Sequence, residues 1–208
     1  MTSSSPSRER EHNGGPPAWR AIAVIPAHNE ASTVSEAVAL AVPHVDQVFV
    51  VDDGSSDNTA DLAEGAGAKV IRLRPNRGKG TALRKGITAA IDAGADAIVT
   101  LDADGEHDPE EIPSLLAELG EADLVLGARN EFRSPSRALA NSFALWWFRQ
   151  IDPSIDDTIC GFRAFRAAVV RVIDSQATGF AYEHEVVLRA VAAQLRSRES
   201  GRRPWLHT

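Results

Sequence analysis

This 208-residue sequence holds one cysteine, one tyrosine and one methionine, and it is short of cations, with 22 Lys and Arg against 29 Asp and Glu. With Cys160 alone, no disulfide can form within the chain; the residue suits a reducing compartment, as a small buried hydrophobe. The net charge of −7 excludes general nucleic-acid binding. An anionic substrate must therefore be met by local Arg, Lys or metal, because the surface as a whole repels it. No apolar run approaches the ~18 residues of a membrane span, and Phe143-Ala144-Leu145-Trp146-Trp147-Phe148 is far too short. Residues 1–18 have nothing apolar to bury after Met1. They read as a disordered leader without the apolar middle of a secretion signal, which assigns the chain to the cytoplasm.

What the sequence does have is an alternation of short β-branched runs and helical periods. Strands are expected over 21–25, where Pro26 stops the first, and over 47–51, 69–73, 97–101 and 123–127. Between them, Thr33 and Glu36 form a capping-box pattern, and helices are expected over 59–66, 81–93 and 109–119. Further helices are expected over 136–150, 167–173 and 182–196, with 156–166 a loop or short strand. Strands spaced by helices make an α/β fold, a three-layer α/β/α sandwich around a mostly parallel, Rossmann-like sheet. We divide it into one domain over 19–196, with a nucleotide-binding half at 19–130 and an acceptor half at 131–196 that closes the site.

The chemistry concentrates in residues 97–108, AIVTLDADGEHD. An apolar strand ends there in Asp102, Asp104, Glu106, His107 and Asp108, at the strand end where open parallel sheets bind ligands. Carboxylates this close repel unless a cation lies between them, and hard oxygen ligands suit Mg²⁺ or Mn²⁺. Asp102-Ala103-Asp104 thus reads as a metal and phosphate site, whereas Asp108, before Pro109 and Glu111, reads as a helix cap. His107 is either a ligand or a supporting residue. Glu30 and the Asp52-Asp53 pair end adjacent strands, where carboxylates can accept the N–H of a base and the hydroxyls of a ribose. Asp57 reads as a helix cap. Gly78-Lys79-Gly80 ahead of a helix lets backbone approach an anion, with Lys79 supplying charge.

Five segments, taken in order, resemble family 2 glycosyltransferases: Pro26-Ala27-His28-Asn29-Glu30, Val50-Val51-Asp52-Asp53-Gly54-Ser55-Ser56-Asp57-Asn58-Thr59, Asn76-Arg77-Gly78-Lys79-Gly80, Asp102-Ala103-Asp104-Gly105 and Cys160-Gly161-Phe162-Arg163. Within that family the wording is most similar to the polyprenol-phosphate (dolichyl-phosphate) mannose and glucose synthases. The likeness runs over residues 20–195; each motif alone is weak, but five in the right order are specific. It implies a GT-A type fold, a UDP- or GDP-hexose donor, a polyprenyl phosphate acceptor and Mn²⁺ or Mg²⁺. It further implies that Pro26, Ala27, Asn29, Glu30, Asp52, Asp53, Lys79, Asp102, Ala103, Asp104 and Arg163 line the nucleotide-sugar site. Asp104 is then the leading metal ligand, and Asp102 a ribose or sugar contact that also faces the ion. Glu106 stands where relatives often carry glutamine, either as a further metal ligand or as an over-neutralising charge. Arg129 and Arg137 join Asp102 and Asp104 as catalytic residues, their guanidinium forks set around donor pyrophosphate or acceptor phosphate.

The implied chemistry is transfer with inversion, because the nucleophile approaches the face opposite the leaving diphosphate. A lipid monophosphate is largely ionised near neutral pH and needs no general base, whereas a hydroxyl acceptor does. Glu183 and Glu185 are the candidates for such a base, or else simply a polar helix face. Two other functions fit some of the residues: a noncatalytic nucleotide-sugar binder, and a haloacid-dehalogenase-type phosphatase with Asp102 as nucleophile. Peripheral contact with the cytoplasmic membrane face is expected through residues 143–148. Residues 197–208 are polar and basic without strand or helix period, and read as an irregular tail from a truncated or frameshifted copy.

Overall fold

The computed structural model describes residues 19–127, 160–173, 175 and 181–200. The leader, Arg129, Arg137, the expected helix over 136–150 with its aromatic run and residues 201–208 lie outside them. The strands are β1 (Ala21–Ala27), β2 (Gln47–Asp52), β3 (Lys69–Arg72), β4 (Ala97–Thr100), β5 (Leu124–Leu126), β6 (Arg163–Arg166) and β7 (Ser197–Glu199). The helices are α1 (Val34–Ala41), α2 (Thr59–Gly65), α3 (Lys79–Asp92), α4 (Ile112–Glu118), α5 (Val170–Ile173) and α6 (Ala181–Ala192).

One sheet runs in the order β3-β2-β1-β4-β6-β5-β7. β6 is antiparallel to both its neighbours, and the other pairs are parallel. Alternate residues of the strands face opposite ways. Ala23, Ile25, Val48, Val50 and Val99 pack against α1, α2 and α4, while Ile22, Val24, Phe49, Val51 and Ile98 pack against α3 and α6. Both faces are covered, which gives the expected three-layer α/β/α sandwich and explains why the inner strands are apolar throughout. Each fully buried Ile or Leu, such as Ile22, Ile25, Ile98 and Leu124, contributes about 1.5–3 kcal/mol of burial.

Several boundaries differ from those the sequence suggests, each for a local reason. Pro26 does not stop β1. Its missing N–H is harmless because pairing with β4 ends at Val24↔Thr100, while pairing with β2 continues through Pro26↔Val51. Thr33 does not form the capping box; its hydroxyl donates instead to the Glu30 carbonyl and to Glu30 Oε2, the latter at 3.1 Å. α3 begins at Lys79, two residues earlier than expected, so the Gly78 backbone, with φ 85°, turns directly into the helix. The last helix stops at Ala192, and residues 197–199 are not irregular but form β7, parallel to β5. Asp123 fastens this edge by accepting from Arg196 Nη2 at 3.1 Å and from the Arg196 backbone N–H at 3.1 Å.

The parallel strands place the ends of β1, β2 and β4 on one side of the sheet, so the Glu30, Asp52-Asp53 and Asp102–Asp104 segments lie along a common edge. α3 sits close over that edge. A Cβ at Gly86 would meet Val24 Cγ1 at 2.3 Å and Val51 Cγ2 at 2.9 Å, so glycine lets the helix approach the sheet. No helix among the described residues is long and apolar enough to cross a membrane.

Candidate active site

The β1 and β2 ends are braced by their own polar groups. Asn29 sits at φ 57°, a conformation asparagine tolerates. Its N–H donates to Ser55 Oγ at 2.9 Å and its Oδ1 accepts from the Ser56 N–H at 2.8 Å. The Glu30 N–H donates to Thr59 Oγ1 at 2.8 Å. Asp57 is not the N-cap of α2, a position held by Asn58; it stands one residue before it, accepting from the Thr59 N–H at 3.0 Å and from the Ala31 N–H at 3.3 Å, and so ties the turn after β1 to the start of α2. Asp52 and Asp53 are only 4% and 3% exposed. Asp52 Oδ1 accepts from the Ser55 N–H at 3.0 Å, while Asp53 takes the Arg77 N–H on Oδ1 at 2.8 Å and the Gly78 N–H on Oδ2 at 2.7 Å. Asp53 therefore shapes the loop that launches Lys79, a role the strand-end reading did not include. A carboxylate offers about four lone-pair positions, so Asp52 and Asp53 retain acceptor capacity toward a ligand.

The acidic turn after β4 is supported from behind. The Asp102 N–H donates to His107 Nδ1 at 3.2 Å, and the imidazole stacks on Phe162 with centroids 5.5 Å apart. His107 Nε2 lies 3.8 Å from Cys160 Sγ, so His107 acts as a brace of the turn. Asp104 Oδ1 accepts from the Glu106 N–H at 3.0 Å, and Asp108 caps the following helical turn through the Glu110 N–H at 3.0 Å. Thr100 Oγ1 donates to the Gly161 carbonyl at 2.8 Å, which draws the 160–162 segment against Asp102.

At Gly161 a Cβ would lie 2.8 and 2.9 Å from the two Asp102 carboxylate oxygens. Only glycine permits this approach. Gly161→Ala is expected to weaken nucleoside diphosphate binding about tenfold while shifting the unfolding midpoint little; unchanged affinity by calorimetry would show that Asp102 can move aside.

Lys79 joins two segments far apart in sequence. From the first turn of α3 its Nζ lies 2.7 Å from Asp102 Oδ1 and 2.8 Å from Glu183 Oε1 on α6. Burial acts to lower the Lys79 pKa, yet the charges of Asp102 and Glu183 raise it above its ordinary value. Glu183 is 1% exposed. Burial pushes its carboxyl up, against the lowering charges of Lys79 and Arg163. These opposed effects describe a shared, tightly coupled cluster in which the ammonium stays charged. Glu183 is thus no part of a polar helix face. Glu185 is: it pairs with Arg189 at 2.7 Å and accepts from the Ser175 hydroxyl.

Arg163 is buried, its Nε donating to the Cys160 carbonyl at 2.8 Å and Nη1 to the Glu183 carbonyl at 3.0 Å. It ties β6 to α6 beneath the site. Arg129 and Arg137, expected around phosphate, lie outside the described residues.

The arrangement has the donor set for a divalent ion of the Mg²⁺ class. Such ions take one or two protein carboxylates and complete their shell with water and substrate phosphates, and Asp102 and Asp104 supply two hard oxygens at the strand end. Among the described residues no group of three or more His, Cys, Asp or Glu is gathered as a self-sufficient cage, and a substrate-completed shell needs none.

A sequence model described as Glycosyl transferase family 2 matches residues 22–175. The chain belongs to this family. This family 2 glycosyltransferase is 32% identical over 191 residues to the undecaprenyl-phosphate mannosyltransferase of Micrococcus luteus, covering 82% of this chain and 77% of that protein. It is 31% identical over 212 residues to the polyprenol monophosphomannose synthase of Mycolicibacterium smegmatis, covering 88% of this chain and 78% of that one. In three dimensions it matches glucosyl-3-phosphoglycerate synthase from Mycobacterium tuberculosis, crystallised with Mn²⁺, uridine diphosphate and phosphoglyceric acid, at a TM-score of 0.73. That identity is 20%, covering 88% of this chain and 68% of the other, so the likeness is one of fold. Family membership sets aside the phosphatase reading, in which Asp102 would attack phosphorus.

Proposed function

We propose that this family 2 glycosyltransferase moves a hexose, with inversion, from a UDP- or GDP-hexose to a polyprenyl phosphate, assisted by a divalent cation. The observation that carries the reading is the contact of Lys79 with Asp102 at the carboxyl end of β4, two residues before Asp104 and on the same side of the sheet as the Asp52-Asp53 edge. The nucleoside lies over the ends of β1 and β2, where Pro26 and Ala27 form the floor and Glu30, Asp52 and Asp53 accept from base and ribose. Its diphosphate points toward Lys79. Asp102, Asp104 and, as a third oxygen donor in the same turn, Glu106 are the residues that would hold Mn²⁺ or Mg²⁺, which supplies Lewis-acid stabilisation of charge on the departing diphosphate. Lys79 adds a fixed positive charge on the same side, aimed by Asp53 through the Gly78 N–H.

The state of the two candidate carboxylates favours a phosphate acceptor. Glu183 is sequestered by Lys79 and Glu185 is paired with Arg189, which leaves neither placed as a base for a hydroxyl. An ionised phosphate acceptor needs no base, in keeping with the lipid phosphates named in the two relatives. The enzyme would then work at the cytoplasmic membrane face by peripheral contact. Calorimetry with UDP- and GDP-sugars in Mn²⁺ or Mg²⁺, followed by transfer to polyprenyl phosphate, tests the reading. Cation-dependent donor binding with product formation is expected; binding with no turnover in any pairing would make the protein a nucleotide-sugar binder.

A further inference from the structure

Building on that reading, we infer that Lys79 and the divalent cation compete for Asp102, and that Glu183 retains the ammonium when the cation displaces it. Lys79 Nζ sits on Asp102 Oδ1 at 2.7 Å, within the carboxylate pair expected to take the cation. A divalent ion arriving at the same carboxylate repels the ammonium, so the two compete for Asp102.

The second contact decides where the ammonium goes. Glu183 Oε1 is 2.8 Å from the same nitrogen, and the residue is 1% exposed. A buried carboxylate costs several kcal/mol to desolvate unless a cation offsets it, and Asp102 alone would already neutralise Lys79. A fold that nevertheless buries Glu183 against Lys79 keeps a counter-charge for the ammonium that does not depend on Asp102. The position is rigid: the Glu183 carbonyl accepts from Arg163 Nη1 at 3.0 Å, and Arg163 Nε holds the Cys160 carbonyl at 2.8 Å, next to the glycine that backs Asp102. Displaced from Asp102 and held by Glu183, the ammonium stays in the first turn of α3, where a diphosphate gains from both its charge and the helix N-terminus. Glu183 is thus a positioning residue that acts through Lys79.

The test uses the full chain with Mn²⁺ alone, then with UDP and GDP at saturating Mn²⁺, measured by calorimetry and by the paramagnetic signal of free Mn²⁺. Lys79→Gln is expected to bind Mn²⁺ alone about tenfold tighter and the nucleoside diphosphate about tenfold weaker. Effects of opposite sign in one variant are not what loss of a structural tie produces. Glu183→Gln is expected to bind Mn²⁺ alone several-fold weaker, because Lys79 then loses its counter-charge on α6 and competes more strongly for Asp102. Lys79→Gln leaves Glu183 buried without the ammonium and with only the more indirect charge of Arg163, so the paired variant Lys79→Gln with Glu183→Gln serves as the second measure, and it too should bind Mn²⁺ more tightly than the wild type. Mn²⁺ bound equally by the wild type and both Lys79 variants would overturn the inference and leave the proposed function standing. Mn²⁺ bound by none of them would remove the cation from both.

Discussion

Asp104→Asn is expected to lower sugar transfer by about 10²-fold or more and to leave the fold intact. Asp104 belongs to neither hydrophobic cluster and is half-exposed on the turn after β4. Its Oδ1 accepts from the Glu106 N–H at 3.0 Å, and an asparagine carbonyl can accept the same bond. The expected change in stability is accordingly within about 0.5 kcal/mol, read from the denaturation midpoint. What the substitution removes is one negative charge from the set that would hold a divalent ion, and the penalty falls on the departing diphosphate. Excess EDTA should therefore reproduce the loss in the wild type and add little to Asp104→Asn. Full activity in the variant, or in EDTA, would take the metal out of the mechanism. Glu106→Gln separates the two roles open to Glu106: weaker Mn²⁺ binding marks a ligand, tighter nucleotide binding an excess charge.

The layers of the fold are legible because their rules are local. Apolar β-branched runs such as 22–25 and 48–51 can only be strands buried on both faces, and the helical periods between them force parallel crossovers. The antiparallel β6 is harder to read, since Arg163–Arg166 is short and half its residues are charged. Its arginines reach past the sheet to carbonyls, Arg163 to Cys160 and Glu183, and Arg166 to Leu119 and Gly120. β7 was hidden for a similar reason: Ser197-Arg198-Glu199 carries no apolar residue, and its place at the edge rests on backbone pairing and on Asp123.

At the site, the acids were visible as types but their partners were not. Asp52 and Asp53 read as open ligands, whereas both are nearly buried and bonded to backbone N–H groups from loops distant in sequence. The Lys79–Glu183 contact did leave a trace. Tyr182, Glu183, Val186, Val187 and Ala190 are the buried residues of α6, and Lys79 falls on the same face of α3 as the buried Ala82, Leu83, Gly86, Ile87 and Ala90. Each charged residue therefore stands in the first turn of its helix, on the inward-facing side. A charge in that register is placed to meet a partner on the facing element, and no single segment reveals which one it meets.

Polyprenol lacking its phosphate is expected to accept sugar ~10³-fold more slowly than polyprenyl phosphate, or not at all, because a hydroxyl requires the general base that is worth 10²- to 10⁴-fold. Glu183 cannot serve, since it is 1% exposed and bound to Lys79, and Glu185 is held by Arg189 and Ser175. Glu185→Gln should accordingly change transfer less than about threefold. Glu183→Gln should act mainly on donor affinity through Lys79 and leave the turnover at saturating donor within about tenfold. The pH profile gives an independent reading. A phosphate monoester loses its second proton near pH 6, so the rate should rise as pH passes upward through about 6 and then level off. Comparable rates with polyprenol, or a ~10³-fold loss in Glu185→Gln, would show that a carboxylate takes a proton from a hydroxyl and would replace the lipid phosphate by an alcohol acceptor.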